Sequence, residues 1–179
     1  MNMNTHIRFE AKGTVIPFIR TNDGDVPIGN TSNSVQTGGP EAVVRALANG
    51  SRITAVWFLH SSSSSPASAG CSGGALTAAD FLAKGEASGN GILECPAFAV
   101  GVAKDGPDGA DAATFISVTT PGVVKAGASF TDGRYVYAVG LVQSTPDGDV
   151  LYAACDLTPV AKAANSQIGV RWQTSITIG

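Results

Sequence analysis

Along 168–178, every second residue belongs to one set: Ile168, Val170, Trp172, Thr174, Ile176 and Ile178 share one side of an extended chain, and Arg171, Gln173, Ser175 and Thr177 share the other. This period predicts a strand with one buried and one wet face. Similar short runs, rich in β-branched and aromatic residues, occupy 14–20, 52–59, 92–103, 114–119, 134–142 and 150–154. Between them stand Asp23-Gly24, Asn49-Gly50, Asn90-Gly91, Pro107-Asp108-Gly109, Asp132-Gly133 and Pro146-Asp147-Gly148. These sequences supply the positive φ angles that tight hairpin turns require. Short strands at such spacing predict a mainly β fold, a small β-sandwich or β-barrel.

Two segments depart from the strand period and predict short helices. Over 40–48, Pro40 and Glu41 sit in the first turn, Asn49-Gly50 ends the helix, and Val43, Val44 and Leu47 form its apolar stripe. Over 77–85, Thr77 and Asp80 resemble a capping box and Gly85 is the stop. The serine run 61–65 and the segment 66–70 carry too little apolar surface to offset their ordering entropy and read as an exposed loop. Residues 1–12 read as a polar N-terminal arm in front of a single β-rich domain over 13–179. Ile7, Arg8 and Phe9 are then candidate partner contacts, joined by Tyr135 and Tyr137, which alternate with Val136 and would present one aromatic edge.

An echo runs through 92–178. Ala99-Val100-Gly101-Val102 precedes Pro107-Asp108-Gly109, and 39 residues later Ala138-Val139-Gly140-Leu141 precedes Pro146-Asp147-Gly148 at the same spacing. Thr120-Pro121 is answered by Thr158-Pro159, each followed by a Val, Lys and Ala segment. Two related β units would produce this signal.

Composition narrows the choice of function. With 179 residues the chain has the length of one domain, and 44% hydrophobic against 14% charged residues marks it as folded rather than disordered. Its net charge of −3 lacks the basic surface of a nucleic-acid binder. The polar start is unlike a signal peptide, and the longest apolar run, 55–59, is far shorter than the roughly 18 residues of a membrane span, so the expectation is a protein made soluble in the cytosol that contacts neither nucleic acid nor membrane. So few charges leave a surface of Ser, Thr, Gly and Ala, which costs little to desolvate and order and suits burial against neighbours.

No set of residues declares an activity. Cys71, Cys95 and Cys155 match neither a zinc ribbon nor a redox pair and read as small buried hydrophobes, with a Cys71–Cys95 disulfide as the alternative. Only His6 and His60 are available as imidazole bases, and a His60–Cys71 pair lacks the strand-to-helix turn that would expose a nucleophile. Asp105, Asp108 and Asp111 have the opening spacing of a calcium loop without its closing glutamate, and read as a solvated turn. Gly70-Cys71-Ser72-Gly73-Gly74 lacks the Lys-Ser/Thr of a phosphate loop. Neither catalytic residues, cofactor nor metal are expected.

The second half resembles the small β-rich cement, or decoration, proteins of tailed-bacteriophage capsids. The resemblance is carried by Phe98-Ala99-Val100-Gly101-Val102-Ala103, Ile116-Ser117-Val118, Gly122-Val123-Val124-Lys125, the stretch 126–137 with Gly133-Arg134-Tyr135-Val136-Tyr137, and the closing Ile168-Gly169-Val170-Arg171. It covers about half of the chain; the first half, with its helices and serine-rich loop, departs from the pattern. What it implies is a non-enzymatic virion protein that forms homotrimers on the capsid surface and clamps neighbouring copies of the major capsid protein. The alternatives are another phage or fibre assembly protein, such as a tail tube or head fibre, and a β-barrel that binds a small ligand.

Overall fold

The computed structural model describes residues 9–103 and 112–178, with side chains over 13–101 and 113–175. In chain order the elements are β1 (Phe9–Thr21), β2 (Gly24–Pro27), β3 (Thr31–Ser32), β4 (Ser34–Val35), α1 (Gly39–Asn49), β5 (Ala55–Ser61), α2 (Ala78–Glu86), β6 (Asn90–Pro96), β7 (Phe98–Ala103), β8 (Ala112–Val118), β9 (Val123–Gly127), β10 (Tyr135–Thr145), β11 (Gly148–Ala161) and β12 (Gln167–Ile178). They build two antiparallel sheets. The first runs β2-β1-β12-β8-β7 with β3 also paired to β1, and the second runs β4-β11-β10-β5-β6-β9. Their edges do not hydrogen-bond to each other, so the architecture is sandwich-like and not a closed barrel.

The core follows the predicted alternation. Val15, Ile168, Val170 and Trp172 of the first sheet meet Val56, Phe58, Val139, Leu141 and Tyr152 of the second, and burial of these side chains away from water holds the sheets face to face. A second apolar layer lies on the other side of the second sheet, where Trp57, Leu59, Ile92 and Leu151 are covered by Phe81 of α2 and by Cys71. This explains why all seven residues of β5 are buried: both faces of that strand are covered.

The run 92–103 forms two strands rather than one. β6 belongs to the second sheet and β7 to the first, and the chain crosses between them at Pro96 and Ala97, whose amide bonds to Thr54 O. Thr77 caps α2 in a complete capping box with Asp80. In α1 the expected stripe is rotated: Ala42 is buried, Val43 packs against the inter-sheet core, and Val44 and Leu47 face solvent. The reason is Gly38 and Gly39, whose missing side chains let the start of α1 press onto Val150, Leu151 and Tyr152.

Both halves of the echo form antiparallel hairpins, β7 with β8 and β10 with β11. They sit in different sheets, and 99–101 are exposed on an edge while 138–141 are fully buried at a centre. The strand pairing of β1 reaches back to Phe9, opposite Ile178, so the last four residues of the expected arm 1–12 belong to a strand.

Candidate docking surfaces

His60 and the three cysteines, the described candidates for chemistry, are buried. His60 is fully buried and its ring lies 4.9 Å from that of Phe130. Arg134 Nε donates to His60 Nδ1 at 2.7 Å, which puts the imidazole proton on Nε2. Burial, and next the Arg134 charge, lower the His60 pKa to about 4. Cys71 packs in the layer with α2, on the opposite side of the second sheet from His60, so the two do not form a pair.

All three cysteines are free and buried, which corrects the alternative of a Cys71–Cys95 disulfide: Cys95 faces the inter-sheet core and Cys71 the outer layer. Burial pushes Cys71 and Cys95 up to about 12 and raises Cys155 as well. Among the described residues no group of His, Cys, Asp and Glu is placed to hold a metal ion. Asp105, Asp108 and Asp111 lie outside the described residues.

The turn aspartates serve as ion-pair partners. Asp25 accepts from Arg20 Nε at 2.6 Å and Nη2 at 2.8 Å, Asp147 lies 3.3 Å from Arg45, and Asp149 lies 2.9 Å from Lys125. Lys125 also reaches Glu94 at 3.2 Å and sits 5.4 Å over the Trp57 ring, while Glu94 accepts from Trp57 Nε1 at 2.6 Å.

Ile7 and Arg8 lie outside the described residues, and Phe9 is placed by its backbone as the first residue of β1. Tyr135 is half-buried. Tyr137 is buried under α2, and its hydroxyl accepts from Asn90 Nδ2 at 3.1 Å, so Tyr135 and Tyr137 do not present a shared aromatic edge. The cause is the apolar layer around Phe81 of α2, which covers the face of β10 on which Tyr137 stands.

Apolar surface is exposed elsewhere, at Val26 and Ile28 by β2 and in three further places. β7 and β9 are the terminal strands of their sheets, and since β8 packs near β6 they lie on the same lateral side of the sandwich. There Val100, the extra residue of a β-bulge in β7, and Val123 and Val124 of β9 are exposed, with Val123 70% accessible. The second place is the outer face of the first sheet. Register aligns Ile16, Arg171, Ile116 and Phe98 in one cross-strand row over β1, β12, β8 and β7. Phe98 is 57% exposed, and both helices pack on the second sheet, so that among the described residues no helix covers this face. The third is the outward side of α1, where Leu47 is 78% exposed.

The serine-rich loop is exposed over 62–65, 67–68 and 70, whereas Ser61 closes β5 and Ala69 packs into the outer apolar layer, both buried, and hydrogen bonds order the loop. Asp156 accepts from Ala69 N at 2.6 Å and Cys71 N at 3.0 Å, and Ser61 and Ser63 each accept from the amide two residues on. Buried Gln36 adds a clamp, donating to Ser34 O and Cys71 O and accepting from Leu76 N. Sequence reasoning missed both clamps, since neither Asp156 nor Gln36 lies near the loop in the chain; a polar residue inside an apolar strand, as Asp156 is, was the available signal. Comparison with family models, curated proteins and solved structures finds no match for this chain.

Proposed function

We propose that this protein is a structural virion component that cements a tailed-phage capsid by binding across seams of the major capsid protein and catalyses nothing. The observation that carries this reading is the lateral side where β7 and β9 expose Val100, Val123 and Val124 and form two strand edges that no described strand pairs. Unpaired edges invite strand addition by a neighbour, and exposed apolar side chains reward it. The edge falls within Phe98–Ala103 and 122–125, two of the segments that carry the resemblance to cement proteins. The burial of His60 and all three thiols is in keeping with a role without nucleophilic chemistry.

Attachment through an apolar seam on a sparsely charged chain resists salt, whereas exposed ion pairs are screened over a Debye length of about 8–10 Å. The test is to mix purified protein with undecorated heads, heat them, and follow genome release in low and high salt. The expected result is saturable binding and a higher release temperature at both salt levels. No binding, or binding that leaves the release temperature unchanged, overturns the proposal.

A further inference from the structure

Beside α2 the serine-rich stretch 61–69 bounds a hollow of about 400 Å³, a volume that holds a small molecule. The rest of its polar wall comes from Lys84 of α2, Asn90 at the start of β6 and Tyr137 of β10. Most of these groups are left as donors. Ser61 and Ser63 Oγ each accept from an amide at 3.1 Å and Ser68 Oγ accepts from Gly70 N at 3.0 Å, so each oxygen is engaged while its proton is left to give. The Tyr137 hydroxyl is in the same condition, since it accepts from Asn90 Nδ2 at 3.1 Å. Among the described residues none of these four O–H groups has an acceptor, and the Lys84 ammonium has neither an acceptor nor an ion-pair partner.

The groups that would repel an anion are already taken. At the C-terminal end of α2 the Lys84 carbonyl accepts from Asn90 Nδ2 at 3.0 Å and the Ala87 carbonyl from Asn90 N at 2.9 Å. Neither Asp nor Glu lines the hollow, and Asp156, which ties down the end of the loop, accepts from Ala69 N on one oxygen and from Cys71 N on the other. Asn90 Oδ1 remains as an acceptor on the wall. Tyr137 is 5% exposed, and burial, ahead of the nearby Asp156 and Cys71, raises its pKa, so the hydroxyl keeps its proton. One unpaired cation among fixed O–H donors is the chemistry that recognises an oxyanion. Four hydroxyls and an ammonium match the three terminal oxygens of a phosphate better than the two of a carboxylate.

We infer that this hollow binds a phosphate group, free or as the monoester of a small polar molecule, with Lys84 as the counter-charge and the hydroxyls of Ser61, Ser63, Ser68 and Tyr137 as donors. The sequence holds no phosphate-loop motif for it because the donors come from three distant segments rather than from one glycine-rich run. Asn90 holds the Tyr137 hydroxyl and the end of α2 together, so that part of the wall is in place before a ligand arrives. The hollow shares no residue with β7 or β9, so the capsid reading stands if this inference fails, and this one stands if the protein does not bind heads.

Calorimetric titration at fixed ionic strength tests it, with inorganic phosphate and glycerol phosphate as ligands and glycerol and glycerate as comparisons. The expected result is saturable binding of the phosphates, none of glycerol, and glycerate weaker by about tenfold or more. Tighter binding of glycerol phosphate than of inorganic phosphate assigns the ester as the ligand; equal binding assigns the free ion. Lys84→Gln and Tyr137→Phe should each weaken binding by about tenfold or more. Arg45→Gln removes the same charge from α1, outside the hollow, and should bind as the parent does. Unfolding midpoints compared with the parent's report whether the variants fold, and Ser68→Ala, at an exposed position, supplies a further variant that leaves Tyr137 in place. Absence of saturable phosphate binding, glycerol or glycerate bound as tightly as phosphate, hollow variants that bind like the parent, or Arg45→Gln as weak as Lys84→Gln overturns the inference.

Discussion

At the scale of single residues, the polar groups inside the apolar layers set the conditions under which the protein holds together. His60 is the clearest case, because Arg134 occupies Nδ1 and the imidazole can gain a second proton only by losing that bond. Its pKa falls from 6.5 in an unfolded chain to about 4 in the native state. Between those values the unfolded chain binds a proton that the folded one refuses, so stability falls as pH drops from about 6.5 to 4 and is insensitive to this group above that window. The cost is at most about 3 kcal/mol. Urea unfolding at pH 7 and pH 4.5 should show the loss, and His60→Gln should flatten that part of the profile. Glu94 plays a comparable local part, since Glu94→Ala would leave the buried Trp57 Nε1 without its acceptor, at a cost of about 1–3 kcal/mol by urea titration, whereas Glu94→Gln retains an oxygen there.

At the scale of elements, α2 shows how a local signal and a tertiary contact divide the work. Thr77 Oγ1 accepts from Asp80 N at 3.1 Å and Asp80 Oδ2 accepts from Thr77 N at 2.9 Å, which satisfies amides that the first helical turn leaves unpaired. Thr77→Ala should therefore lower stability by about 1 kcal/mol in chemical unfolding. Phe81, fully buried against Trp57, docks the helix. Gly127 fixes where α2 meets the sheet: its φ is +64° and an added Cβ would fall on Gly85 O, so it is the residue that lets β9 and α2 approach. α1 is the contrasting case, with a start and stop legible in sequence and a buried side that was not. Its apolar residues outnumber those its own core can accept, and only the packing of Gly38 and Gly39 on β11 chose which ones face inward.

At the scale of the whole molecule, the layers place Cys71 outside the second sheet and Cys95 and Cys155 between the sheets. All three thiols are buried and held protonated, so a thiol reagent should label none of them in the native protein and all three once it is unfolded. Mass spectrometry of the labelled chain checks this; modification of Cys95 or Cys155 under native conditions would contradict the sandwich. Much of the sandwich was legible in the sequence, because period-2 alternation, β-branched runs and glycine turns are local consequences of backbone geometry and of one face meeting water. Ile168, Val170 and Trp172 are inward for that reason. Which strands pair, and which face a bulge redirects, depend on contacts between residues far apart in the chain. Tyr137 shows it, buried in the layer that α2 lays over the second sheet although its alternation with Tyr135 reads as an exposed edge. The same holds for the surfaces offered to a partner: the sequence by itself determined a β-rich chain with few charges, while tertiary structure alone decided that Val100, Val123, Phe98 and Leu47 remain outside, because a side chain is exposed only when no other element of the fold covers it.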